Sequence, residues 1–198
     1  MNDALNSWLA NVSGGWVLFV AVLALAVLFV LVGLKAGADQ LKFTDEYAAR
    51  YTKPVLAFEF NAGEWKKMFR PEPEPRKALR AALMWDFLFI FIYPALITAV
   101  CLVGARYLDA RGYVGFRVSL FFILLALVAG VLDAVENCAL LGVLADYQNS
   151  ALPAVAHWCA KIKFALVYTA AGYAVLACAA ALVLWLYNSF AGRAPATP

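Results

Sequence analysis

Histidine is nearly missing from this chain of 198 residues, where His157 stands alone. A bis-imidazole haem needs two axial histidines and a histidine-rich metal centre needs more, which speaks against haem carriers and His-dependent membrane hydrolases. The four cysteines, Cys101, Cys138, Cys159 and Cys178, contain no C-x-x-C pair. A thiol–disulfide relay is therefore not expected, and each cysteine reads as a small hydrophobe packed between helices. A Gly-rich phosphate loop, a G-x-S-x-G elbow and an H-E-x-x-H pair are also missing. No cofactor and no metal site is expected. Charge is scarce too, with 15% Asp, Glu, Lys and Arg against about 25% in soluble domains. The net charge of +3 does not point to nucleic acid, because most of the basic residues fall in one segment that membrane topology explains better.

What fills the space is apolar: 65% of residues are hydrophobic and the mean hydropathy is +0.78. Crossing a bilayer takes roughly 20 apolar residues, and four stretches are long enough, at 16–34, 81–104, 118–144 and 164–187. The expected fold is all-α: a polytopic membrane protein with four transmembrane helices, one integral membrane domain over 1–198 and a loop at 35–80. Residues 1–15 carry Asp3 and no Lys or Arg. Without a basic n-region the first span reads as an uncleaved anchor.

Charge placement orients the spans. The segment 35–80 holds ten of the sixteen basic residues, whereas Arg106, Arg111, Arg117 and Arg193 lie at the other ends of the spans. The positive-inside rule then puts the long loop in the cytoplasm and both termini outside it, in a plasma (inner) membrane. Three arginines around the second loop pull the other way. Trp16 and Trp185 mark one end of their spans and Trp85 and Trp158 the other, as interfacial belts do.

The loop has features of its own. Residues 54–60 (PVLAFEF) form an apolar run around Glu59. Asn61 and Glu64 have capping-box spacing, and Trp65, Met68 and Phe69 follow at helical intervals. A short amphipathic helix at 62–70, lying on the membrane surface, is expected. The Pro-Glu-Pro-Glu-Pro run at 71–75 ends it, and Pro75 can open the helix of span two.

Ionisable residues inside the spans are the most informative feature, because each costs about 2.5–3.5 kcal/mol near the bilayer centre on insertion scales. Asp86 lies in span two. Asp133, Glu136 and Asn137 lie in span three at i, i+3 and i+4, on one face. Lys161 and Lys163 open span four. Ala126, Gly130, Asp133 and Asn137 form a small-residue stripe of the kind that packs against other membrane helices. On span four the stripe runs Lys163, Val167, Ala170, Ala174, Ala177 and Ala181, whereas Lys161 shares a face with Tyr168 and Gly172 and can snorkel to the headgroups. Asp86 and Tyr93 share a face of span two, and Pro94 frees the carbonyl of Ile90 beside that tyrosine. The expected cluster is Asp86, Tyr93, Asp133, Glu136, Asn137 and Lys163. Three acids beside one lysine in a low dielectric cannot all be ionised, so Lys163 is expected to pair with one carboxylate while at least one other keeps its proton.

These residues resemble a group of bacterial multi-span membrane proteins. The likeness lies in Val55-Leu-Ala-Phe-Glu-Phe60, Asp86-Phe87-Leu-Phe89 with Tyr93, Asp133-Ala-Val-Glu136-Asn137 and Lys163-Phe164, in the same order. It covers residues 15–187, and the D-x-x-E-N within a span is its most specific part. The resemblance implies a four-span bacterial fold and favours Lys163 over Lys161, but it brings no activity with it.

Three function classes follow. In the first, the cluster ties helices 2–4 together, in a protein that could be a membrane-complex subunit. In the second, it serves proton-coupled transport or ligand binding. In the third, a lipid-modifying enzyme uses Asp133 or Glu136 as base and Lys163 to hold an anionic headgroup. The third class lacks a nucleophile or metal set, so an enzyme is the least favoured. The lipid bilayer is the expected partner. Span one, with no charged or strongly polar residue, is expected to have no part in the cluster and belongs at the edge of the bundle, where it could meet a second copy or another subunit.

Overall fold

A computed structural model describes residues 15–48, 73–109, 115–146 and 151–191. These form four α-helices, α1 Gly15–Ala48, α2 Pro73–Asp109, α3 Gly115–Ala145 and α4 Ala151–Ala191, with no strand among them. Segments Leu79–Arg106, Arg117–Ala145 and Ala151–Leu184 are long and apolar enough to cross a membrane. The apolar part of α1 is shorter among the described residues, Val20–Ala36. The amphipathic helix expected at 62–70 and the apolar run at 54–60 lie outside the described residues.

Three boundaries differ from the sequence reading, each for a local reason. α1 runs on to Ala48 instead of stopping before a loop at residue 35. Nothing between Lys35 and Ala48 breaks a helix, since the next proline is Pro54. α2 starts at Pro73 rather than Pro75, because both prolines fall in a first turn whose N–H groups have no intrahelical partner. α4 begins at Ala151, thirteen residues before the expected start at 164. Pro153 sits in its first turn, and the alanine-rich sequence around His157 and Lys161 keeps a helix despite its lower hydropathy. Lys163 is consequently interior to α4, about 18 Å along the helix axis from Ala151.

α2 is the centre of the assembly, packing against α1, α3 and α4, while α3 and α4 also pack on each other. Small residues set how closely these helices approach. A Cβ built on Gly104 would stand 2.9 Å from Ala177 Cβ, and one on Gly130 would stand 3.2 Å from Pro94 Cγ and 3.6 Å from Ile90 O. Gly130 thus nests against the place where Pro94 interrupts the α2 hydrogen-bond ladder. The small-residue stripes face inward as expected, with Ala126 and Ala170 fully buried and Ala174 and Ala177 nearly so. A core of Tyr93, Ile97, Cys101, Ile123, Ala126, Ala170 and Ala174 joins α2, α3 and α4.

The outer surface is apolar. Phe91, Val131, Tyr168, Val175 and Leu176 are all at least 65% exposed, as befits helices solvated by lipid rather than water. Lys161 is exposed, with its ammonium 5.1 Å from the Trp158 ring.

Candidate functional site

The polar core is built from one turn each of α2, α3 and α4. The i, i+3, i+4 spacing puts Asp133, Glu136 and Asn137 on the inner face of α3, where all three are buried. Lys163 of α4 is 8% exposed and meets two of them at once, with Nζ 2.7 Å from Asp133 Oδ1 and 2.6 Å from Glu136 Oε2. Asn137 turns toward α2 and donates from Nδ2 to Asp86 Oδ2 at 2.7 Å. The network ties α2 to α3 and α3 to α4. Charge-assisted bonds of this kind are the strong ones, and a buried ammonium between two carboxylates is compensated on both sides.

Asp86 differs from the other two acids. Lys163 is paired with both Asp133 and Glu136, while the hydrogen-bond partner of Asp86 is a neutral amide that uses one of its two oxygens. Tyr93 sits next to Asp133. Its hydroxyl is nevertheless buried without a hydrogen bond of good geometry, and so is Asn137 Oδ1. Buried polar atoms are normally paired; of these two, Tyr93 lines the adjoining cavity and Asn137 does not, and Thr98 Oγ1, elsewhere on α2, is unpaired as well.

These residues close one end of a cavity of about 460 Å³, within the roughly 300–1,000 Å³ range of small-molecule sites. Asp86, Tyr93, Asp133 and Lys163 supply its polar end, and the other walls are apolar side chains from α1, α2 and α4. Phe29 of α1 stacks on Phe89 with centroids 4.7 Å apart, and Phe89 lies 5.6 Å from Tyr93. Span one therefore contributes to the polar cluster's surroundings, although its sequence carries no polar side chain there. Phe164 completes the aromatic lining, 4.8 Å from Lys163 Nζ.

The structure brings all six residues singled out in the sequence into one neighbourhood. It also shows a polar pair that sequence reasoning missed, Ser119 of α3 and Tyr173 of α4, whose hydroxyls are 2.7 Å apart. Tyr173 stacks flat on Phe122 at 4.0 Å, so the pair is set in a packed aromatic contact away from the acids. A lone serine in an apolar span is an ordinary helix-packing residue, and no spacing rule links it to Tyr173.

The fold and this core define a polytopic helical membrane protein. No protein-family model matches the chain, and no curated protein or solved structure matches it.

Proposed function

We propose that this is a ligand-binding membrane protein of the bacterial group it resembles, with a small amphiphile held between α1, α2 and α4 against the carboxylate cluster. One observation carries the reading: an almost wholly apolar cavity that ends on Asp86, Tyr93, Asp133 and Lys163. A network needed only to hold helices together would keep its acids packed against protein rather than at the end of a cavity that opens toward lipid, where charge is costly. Membrane helices gain little from each interhelical polar contact, about 0.6 kcal/mol on average. Proton-coupled transport is an extension of the same reading, since the acids that meet a ligand can also exchange protons. The lipid-modifying reading finds its base and headgroup candidates, Asp133 and Lys163, at the cavity, but the lining offers no Ser, Thr, Cys or His as nucleophile.

A second reading, a membrane-complex subunit docked through α1, draws on a different observation. Leu23, Val27, Val30, Leu31 and Leu34 are exposed along α1, and α1 packs mainly on α2. In this proposal α1 also crosses the bilayer, with both termini outside the cytoplasm of an inner membrane.

Native mass spectrometry after gentle detergent extraction tests the first reading. Wild-type protein should retain one small molecule per chain. The Ala171→Phe variant, which fills the apolar end of the cavity, should retain none. Identical spectra for the two would overturn the ligand-binding reading, and a stable dimer or foreign subunit with an empty cavity would put the second in its place.

A further inference from the structure

We propose that the cavity selects a lipophilic ammonium, with its charged nitrogen at Asp86 and its apolar body among Phe29, Phe89, Leu96 and Val167. The inference rests on the ligand-binding reading above and names its ligand class. Three observations at the polar end converge on a cation.

The first is charge. Three carboxylates face one lysine, and that lysine is already bonded to Asp133 and Glu136. Asp86 is left with a bond from the neutral Asn137 amide on Oδ2. A carboxylate offers about four acceptor positions, so Asp86 can accept from an N–H donor without breaking that bond. An anionic head would meet the two acids at the cavity wall with Lys163 already engaged, and a neutral head would leave the excess acid to be compensated by bound protons alone.

The second is the hydroxyl of Tyr93, a residue 5% exposed that lines the cavity beside Asp133 and makes no hydrogen bond of good geometry. It can accept a second N–H from the same head. The third is the aromatic wall. Phe29, Phe89, Tyr93 and Phe164 surround the polar end, and aromatic faces attract ammonium groups by about 2 kcal/mol or more when desolvated. Phe164 already lies beside one ammonium, that of Lys163.

Access fits a ligand that arrives from the bilayer. α1 and α4 both line the cavity but are not among the well-packed helix pairs. The gap between them faces the lipid, where the apolar body of an amphiphile is already dissolved.

The test uses the full chain in nanodiscs of zwitterionic lipid, with empty nanodiscs as background. Radiolabelled dodecylamine should bind saturably, and unlabelled dodecylamine should displace it at concentrations where dodecanol and dodecanoate do not. Asp86→Asn should weaken binding at least tenfold. Its side-chain carbonyl can still accept from Asn137, so the α2–α3 bond is kept while the charge is removed. Should that variant fail to fold, Ala171→Phe leaves every carboxylate in place and should also abolish binding. Displacement by dodecanol as effective as by the amine, or unchanged affinity in Asp86→Asn, would overturn the ammonium selection while leaving a ligand cavity standing. Lack of saturable binding for all three probes would overturn both readings.

Discussion

Lys163 is bonded to two carboxylates at once, which makes the substitutions around it unequal. Lys163→Met keeps the length of the side chain and removes the only cation between Asp133 and Glu136. Breaking a buried pair from one side costs on the order of 3–5 kcal/mol, because the charge left behind has no compensation. Glu136→Gln leaves Lys163 with Asp133, a balanced pair, and an amide in place of an acid that makes an ion pair without good hydrogen-bond geometry. Thermal unfolding in mild detergent should show a large loss for Lys163→Met and about 1 kcal/mol or less for Glu136→Gln. Equal losses would mean that Lys163 is not the hub of the network. At this scale the sequence was highly legible. A charged residue in an apolar span is rare enough to stand out, and helical spacing alone separated inward Lys163 from outward Lys161. The division of labour among the acids was not legible. That Asp86 would be the one without a cation depends on how α2 sits against α3, which no local pattern encodes.

Helices are held together here by contacts that leave almost no room for side chains, and the glycines differ sharply in what surrounds them. Gly104 faces the Cβ and backbone of Ala177, neither of which can swing aside. Gly142 faces the tip of Leu152, which can change rotamer, and Gly172 faces nothing within 4 Å. Gly104→Ala should therefore push α2 from α4 and lower the unfolding temperature. Gly172→Ala should be neutral or raise stability by up to about 1 kcal/mol, the helix-propensity difference between the two residues. Gly142→Ala should fall between them. Thermal unfolding of the three variants side by side is the check, and a Gly172→Ala loss matching that of Gly104→Ala would refute the packing argument. Element identity was legible for the apolar cores of the helices, whereas their ends were not. Hydropathy marks where a chain can enter lipid, but a helix continues until something breaks it. That is why α4 starts thirteen residues before its apolar stretch and α1 continues past Lys35. The cavity was the least legible feature of all, because a void is a property of three or four helices together.

For the molecule as a whole, orientation is the property most open to a decisive experiment. Lys35 and Lys42 of α1 and Arg76, Lys77 and Arg80 of α2 lie toward the segment 49–72, which adds Arg50, Lys53, Lys66, Lys67 and Arg70. Arg106 and Arg117 sit at the opposite ends of α2 and α3. Counted within reach of the spans, the first group outweighs the second, which favours the cytoplasm for the long loop. The position of α1 matters more than the count. Its apolar run, residues 16–34, lies within one continuous helix and extends about 28 Å, close to the roughly 30 Å hydrocarbon core, so crossing needs little adjustment of the bilayer. If α1 crosses, the first residues of the chain emerge on the same side as residue 198. If it lies along the surface instead, they stay on the side of the long loop. Alkaline phosphatase fused at either terminus should be active, and green fluorescent protein inserted near residue 60 should fluoresce in the cytoplasm. A silent N-terminal fusion beside an active C-terminal one would mean that α1 does not cross, and Phe29 would then reach the cavity from a helix lying against the bilayer surface.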